Sequence, residues 1–119
     1  MKFTNAKAYD ALLALLSVSE TGRLGYAIAK NARKIRDEIQ EYINKREGAV
    51  SEYGSDNGNG AYVIKPDDIE RCLAEFEDLN DIECDIDIMT VDTNTFCSGN
   101  LTSNDMLALE WMEETPKGA

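Results

Sequence analysis

The fold of this 119-residue chain depends mainly on residues 24–53, which read LGYAIAKNARKIRDEIQEYINKREGAVSEY. Apolar or small residues recur along this stretch in alternating steps of four and three, with Arg46 as the one interruption. They are Ile28, Ala32, Ile35, Ile39, Tyr42, Ala49 and Tyr53. This spacing keeps them on one face of an α-helix, and the stretch contains no proline. A continuous helix of this length measures about 45 Å, so other elements must pack along it.

Shorter amphipathic segments surround this central helix. Apolar spacing predicts further helices over residues 4–18, 66–80 and 103–114. Pro66 suits the first turn of the helix over 66–80, and Thr102 suits an N-cap position. The helix over 66–80 is expected to fold back on the central helix as an antiparallel hairpin. Its buried stripe is predicted to be Ile69, Cys72, Leu73, Phe76 and Leu79.

Two segments of the chain have the character of turn and strand. The Gly- and Asn-rich residues 54–60 predict a turn after the central helix, and residues 61–65 predict a brief strand. Residues 82–91 alternate between Ile or Cys and acidic side chains, which is typical of a strand with one buried face. We therefore predict one domain, residues 1–119, of the mainly helical α+β class. It contains a long central helix in an antiparallel hairpin, two further helices and a short acidic strand or hairpin.

The charge of the chain is unevenly distributed. The net charge is −11, and residues 1–46 contribute 9 − 5 = +4 while residues 47–119 contribute 3 − 18 = −15. An acidic protein repels phosphate groups, so direct binding to nucleic acid is disfavoured. A basic protein partner, or the basic half of another copy, is favoured. Carboxylates that serve only solubility are the simpler alternative.

Composition argues against most catalytic chemistry. The chain has no histidine, which removes the commonest general base near neutral pH. Cys72, Cys84 and Cys97 are too few and too widely spaced for a disulfide framework or a zinc cage, and no glycine-rich phosphate loop occurs. We expect no enzyme activity, no cofactor and no metal. The longest apolar run, residues 11–16, is far too short to span a membrane, and we expect no secretory signal, since no basic start followed by an apolar block is seen.

The candidate binding residues form an acidic surface. Glu83, Asp85 and Asp87 fall on one face of the predicted strand, and carboxylates of the preceding helix extend that surface. These additional residues are Glu70, Glu75, Glu77, Asp78 and Asp81. The three strand carboxylates have three interpretations: a divalent-cation site, protection against edge-to-edge strand pairing, or a mimic of a phosphate backbone. Trp111 is the aromatic residue included as a candidate contact.

The order of segments resembles a family of short uncharacterised proteins from tailed phages and prophages of Gram-positive bacteria. The segments that carry the resemblance are Tyr26–Asn31, Tyr62–Ile64, Ile82–Asp87 and Leu101–Met112. The resemblance implies a phage origin and a location in the cytoplasm of the bacterial host. It implies no established activity, so it assigns no functional residue.

Two functional hypotheses follow. The first is a small acidic, non-enzymatic interaction protein that inhibits a host nucleic-acid-handling defence protein, such as a CRISPR effector, through its negative surface. The second is a virion or tail-assembly component that acts through oligomerisation, with the basic and acidic regions meeting between subunits.

Overall fold

The computed structural model describes residues 1–56, 58 and 61–114. Asn57, Asn59 and Gly60 of the predicted turn lie outside the described residues. The helices are α1 (Asn5–Leu16), α2 (Gly22–Glu38), α3 (Gln40–Tyr53), α4 (Pro66–Ala74), α5 (Thr93–Phe96) and α6 (Ser103–Ala108). The strands are β1 (Lys2–Thr4), β2 (Gly54–Asp56), β3 (Tyr62–Ile64) and β4 (Glu83–Asp85). The predicted mainly helical α+β class is confirmed.

The predicted central helix over residues 24–53 is divided into α2 and α3 at Ile39. Ile39 has φ −104° and ψ 21°, outside the helical region, although it is a buried member of the core. The Ile39 N–H still donates to the Ile35 carbonyl oxygen at 3.0 Å, and the Ile43 N–H donates to that of Ile39 at 2.9 Å. No proline or glycine lies at the break. α2 packs on α1, whereas α3 packs on α4. These different packing partners account for the break at Ile39.

The first layer of the fold is formed by α1 against α2. The Thr4 hydroxyl accepts a hydrogen bond from the Lys7 N–H at 3.2 Å and caps α1. Leu15 and Leu24 are almost completely buried between these helices and the rest of the core. β1, which precedes α1, pairs antiparallel with β4, and buried Phe3 anchors it to the core.

The predicted helical hairpin is built from α3, the two-stranded antiparallel sheet β2–β3, and α4. Gly54 pairs with Ile64 in that sheet. A Cβ atom at Gly54 would lie 2.5 Å from the Val50 carbonyl oxygen and 3.1 Å from the Cβ of Tyr62. The close approach of the strand to the end of α3 therefore requires glycine at this position. α4 is shorter than the predicted 66–80 helix, since it ends at Ala74 and a separate 3₁₀ turn spans Glu77–Leu79.

Arg46, which interrupts the apolar stripe of the central stretch, is accommodated by aromatic rings. Its guanidinium carbon lies 4.2 Å from the ring centroid of Tyr9 and 5.2 Å from that of Phe76. Its Nη1 donates to the hydroxyl oxygen of Tyr42 at 3.0 Å, and that hydroxyl donates to Asn80 Oδ1 at 2.6 Å. The charged group thus has π-faces and a hydrogen-bond acceptor at a half-buried position.

The C-terminal part of the chain is less regular than predicted. Only Glu83–Asp85 of the predicted 82–91 strand is a strand, because β1 offers just three residues for pairing. The helix predicted over 103–114 is α6 followed by a 3₁₀ turn, Glu110–Met112. Thr102 caps α6 as predicted: its hydroxyl accepts from the Asp105 N–H at 3.1 Å, and Asp105 accepts from the Thr102 N–H at 3.1 Å.

Candidate protein-binding surface

The strongest concentration of charge lies between residues 66 and 87, which we call the acidic segment. It contains ten carboxylates and one arginine, which gives 1 − 10 = −9. Nine of these carboxylates belong to exposed residues, and Asp68 is half-buried. Seven of the ten carboxylates lie in α4, in the following 3₁₀ turn or in β4, so most of the charge is held on regular elements rather than on a long loop.

α4 forms where the sequence predicts it and presents its carboxylates outward. Pro66 occupies the first helical turn, where a missing N–H is harmless, and Asp67 favours the positive end of the helix dipole. Cys72 and Phe76 are buried and attach the helix to the rest of the core. Glu70 lies on the solvent side.

The predicted apolar stripe of this helix is only partly buried. Cys72 and Phe76 are 3% and 5% exposed, but Ile69 and Leu73 remain 44% and 43% exposed. Leu79 is half-buried. Because α3 is the main packing partner of α4, it covers only one side of the stripe. Two aliphatic side chains, one helical turn apart, therefore lie on the surface among carboxylates.

The strand carboxylates share one face, as the alternation predicts. Glu83 and Asp85 are exposed on β4, whereas Cys84 between them points inward and its Sγ lies 3.5 Å from the Phe3 carbonyl oxygen. Burial is the main cause that raises the pKa of the Cys84 thiol. Ile86 and Ile88 continue the inward-facing side, while Ile82, predicted to be buried, is 51% exposed.

Two of the three aligned carboxylates already have cationic partners within the chain. The amino group of Met1 donates to Asp85 Oδ1 at 2.8 Å, and this hydrogen bond holds the pKa of Asp85 below its ordinary value. Lys34 Nζ lies 3.8 Å from Asp87 Oδ2 and donates to the Asp87 carbonyl oxygen at 2.7 Å. Glu83 forms no ion pair with any other described residue.

The carboxylates of α4 and the turn after it are less compensated. Glu75 accepts a hydrogen bond from the Tyr53 hydroxyl at 3.3 Å. Within the described ranges, the salt bridges involve none of Glu70, Glu77, Asp78 or Asp81. Together with Glu83 and Asp67, these four residues are exposed carboxylates of the acidic segment without a salt bridge to any described residue.

Trp111, the predicted aromatic contact, also takes part in packing. It is half-buried, its ring lies edge-on to Phe3 at 5.5 Å between centroids, and its Nε1 donates to the Ala108 carbonyl oxygen at 3.0 Å. The structure therefore places it beside β1 and α6. It remains at the edge of a shallow cavity that Lys7 and Asp10 also line.

Sequence reasoning did not identify Asn31, which holds the chain that follows β4. Asn31 is 0% exposed in the middle of α2. Its Nδ2 donates to the Met89 carbonyl oxygen at 2.8 Å, and its Oδ1 accepts from the Met89 N–H at 2.7 Å. One amide side chain thus pairs with both backbone groups of Met89 as a neighbouring strand would. The spacing of Asn31 from Ala27, Ile28 and Ile35 places it on the buried face of the helix, and this spacing could have identified it from the sequence.

Neither a metal centre nor a membrane span is evident in the part of the chain that the structure describes. No group of three or more Cys, Asp or Glu side chains is placed there to hold a metal ion. None of the helices there combines the length and apolar character needed to cross a membrane.

Comparison of the chain with protein-family models, with curated proteins and with solved structures finds no match in any of the three. The resemblance to short phage and prophage proteins therefore stays a prediction. Any functional conclusion must rest on the surface itself.

Proposed function

We propose that this protein is a small, non-enzymatic interaction protein that binds a basic protein partner through its acidic segment. The most concrete form of this proposal is an inhibitor of a host nucleic-acid-handling defence protein, such as a CRISPR effector, in the cytoplasm of a bacterial host. The observation that carries it is a set of exposed carboxylates that form no ion pair among the described residues. In the acidic segment these are Asp67, Glu70, Glu75, Glu77, Asp78, Asp81 and Glu83, and all but Asp67 are candidate binding residues predicted from the sequence.

Negative charge held on ordered elements supports this role. A nucleic-acid-binding groove is lined with Lys and Arg that neutralise phosphates. A fixed group of carboxylates is negatively charged, as those phosphates are, and can interact with the same Lys and Arg. Complementary potentials accelerate encounter and select the partner, and they require no catalytic group or cofactor. Asp85 and Asp87 contribute less because each already interacts with a cation of this chain.

Exposed aliphatic residues in the same segment also support a protein partner. Ile69 and Leu73 lie one turn apart on α4 and are each more than two-fifths exposed. Protein interfaces generally combine an apolar centre with a polar rim, and carboxylates surround these two side chains. A purely solubilising surface has no need of this apolar pair.

The proposal is tested by affinity capture with matched variants. Tagged protein is incubated at low salt with a nuclease-treated lysate of a bacterial host that carries defence systems. A basic nucleic-acid-binding protein should be retained and then released at high salt, since salt screens exposed charges. The variant E70Q/E77Q/D78N should lose this partner. D10N/E41Q/E47Q removes the same number of exposed carboxylates from α1 and α3 and should keep it.

A second measurement separates inhibition from mere association. The captured partner is purified, bound to labelled duplex DNA, and titrated with the protein. Displacement of the DNA by wild type and by D10N/E41Q/E47Q, with none by E70Q/E77Q/D78N, is the expected result. Equal capture of all three proteins would contradict a role for the acidic segment. Recovery only of phage structural proteins would instead favour an assembly component.

A further inference from the structure

A second charged surface lies on α2 and has the opposite sign. Residues 22–36 contain five Lys or Arg and no Asp or Glu. Four residues of this helix recur at helical spacing on one exposed face, which we call the basic stripe: Arg23, Tyr26, Lys30 and Arg33. Among the described residues, neither Arg23 nor Arg33 forms a salt bridge, although the charge of Arg23 helps to lower the pKa of Asp92 across a groove beside it. The Lys30 Nζ lies 5.8 Å from the ring centroid of Tyr26, which is itself 60% exposed.

The basic stripe borders an open groove of about 420 Å³. Tyr26 forms one wall, and Asp92 and Glu114 lie on the others. Both carboxylates already accept hydrogen bonds within the chain. Asp92 accepts from the Thr95 N–H at 2.7 Å, and Glu114 accepts from the Thr90 hydroxyl at 3.3 Å. An exposed aromatic ring beside arginines is the composition that protein interfaces favour at their centres.

The basic stripe and the helical part of the acidic segment lie on different helices. The stripe is on α2, whereas α4 packs on α3, and the helical hydrogen bonds continue across Ile39 between them. The longest dimension of the molecule is 51 Å. Each copy thus presents a basic face on α2 and an acidic face on α4, and the two faces are complementary in charge.

We propose that the basic stripe and its groove bind the acidic segment of a second copy of this chain, head to tail. Arg23, Lys30 and Arg33 face the carboxylates of the neighbour's α4, and Tyr26 receives the exposed aliphatic pair beside them. Charge complementarity identifies the occupant, because the chain itself carries a matching face. The contact is heterologous, so a dimer still has one free stripe and one free acidic segment and can extend.

This inference rests on the proposed function, since it treats the acidic segment as a docking surface. It adds regulation: self-association covers the segment that a foreign partner would use, and the monomer is the form that binds. Self-association is measured on the purified protein, without a foreign partner. A protein that fails to self-associate can therefore still retain a partner in the affinity-capture test, and a protein that retains no partner can still self-associate.

The test is sedimentation velocity over a concentration series at low and high salt. Wild type should form oligomers at low salt that dissociate at high salt. The stripe variant R23Q/K30Q/R33Q and the segment variant E70Q/E77Q/D78N should each associate roughly tenfold more weakly or not at all. K7Q/R36Q/K45Q removes three cations outside the stripe and should behave as wild type.

Mixing the two defective variants provides the decisive measurement. Each retains one of the two complementary faces, so an equimolar mixture can form a single wild-type contact. The expected product is a one-to-one heterodimer that does not extend further. A wild-type protein that stays monomeric at low salt, a mixture that stays monomeric, or equal loss of association in K7Q/R36Q/K45Q would each overturn the proposal.

Discussion

The buried amide of Asn31 leads to the most specific prediction about stability. Replacement by leucine, Asn31→Leu, removes both hydrogen bonds to Met89 while keeping the number and branching of the side-chain heavy atoms. Asn31 is fully buried and Met89 is half-buried, so water can reach the freed backbone groups only in part. We expect the 86–92 segment to loosen from α2, because this amide pairs with both backbone groups of one of its residues.

The size of the effect follows from the groups left unpaired. An orphaned backbone donor or acceptor costs about 1–3 kcal/mol, and partial access of water places each of these two groups at about 1.5 kcal/mol, in the lower half of that range. Burial of the added apolar surface offsets about 1 kcal/mol. The net loss in the free energy of unfolding should be about 2 kcal/mol. For a chain of this length, that corresponds to a fall in Tm of about 8 °C.

Urea denaturation followed by circular dichroism measures the loss, and amide hydrogen exchange locates it. The Met89 N–H should exchange faster in Asn31→Leu than in wild type, relative to amides of α1. Asn44→Leu is the matched control, because Asn44 is an exposed asparagine on α3 and surface substitutions usually change stability by at most about 0.5 kcal/mol. A change below about 0.5 kcal/mol for Asn31→Leu, with unaltered Met89 exchange, would refute the reasoning.

Replacement by aspartate adds a pH signature. Asn31→Asp keeps an acceptor for the Met89 N–H but places an oxygen against the Met89 carbonyl oxygen. Burial raises the pKa of the introduced carboxyl group, so the protonated form is favoured in the folded state. The destabilisation relative to wild type should therefore be smallest below the unfolded pKa of about 3.9 and should grow as pH rises through the folded pKa. A destabilisation independent of pH would show that the group is solvated.

Three further predictions concern other named contacts. Arg46→Met should lower the free energy of unfolding by about 2 kcal/mol, because it removes contacts with the rings of Tyr9 and Phe76 and one hydrogen bond; Arg46→Lys, which keeps the charge, should lose about half as much in the same urea titration. The pKa of Asp92 lies below its ordinary value of 3.8, since its carboxylate accepts a backbone N–H. Its stabilising contribution is therefore present above pH 3.8 and is lost as pH falls through the lowered pKa. Acid unfolding of Asp92→Asn should lack this pH-dependent loss of stability. An NMR titration that gives Asp92 an unshifted pKa would contradict the hydrogen bond as its cause. Thr102→Ala removes an N-cap and should cost about 1 kcal/mol, measured as a fall of about 4 °C in calorimetric Tm; an unchanged Tm would mean that α6 does not depend on its cap.

Local sequence signals predicted the helical elements well where one face is buried. The cap at Thr102, Pro66 at the start of α4, and the inward face of Cys84 and Ile86 all follow from short-range rules, because their causes lie within a few residues of chain. The break at Ile39 has no local signal of this kind. It reflects different packing partners for α2 and α3, and a pattern of apolar residues does not reveal which elements will provide them.

For the candidate surface, the sequence by itself determined how much charge there is and which elements carry it. The net charge of −9 between residues 66 and 87 and the basic run in α2 are properties of residue order alone. Only the tertiary structure decided which charges are compensated: Asp85 meets the amino group of Met1, Asp87 meets Lys34, and Glu70 and Asp78 meet no cation among the described residues. The physical reason is that ion pairs and hydrogen bonds act over only a few ångströms. The partners that form here are more than fifty residues apart in the chain, so only packing brings them that close.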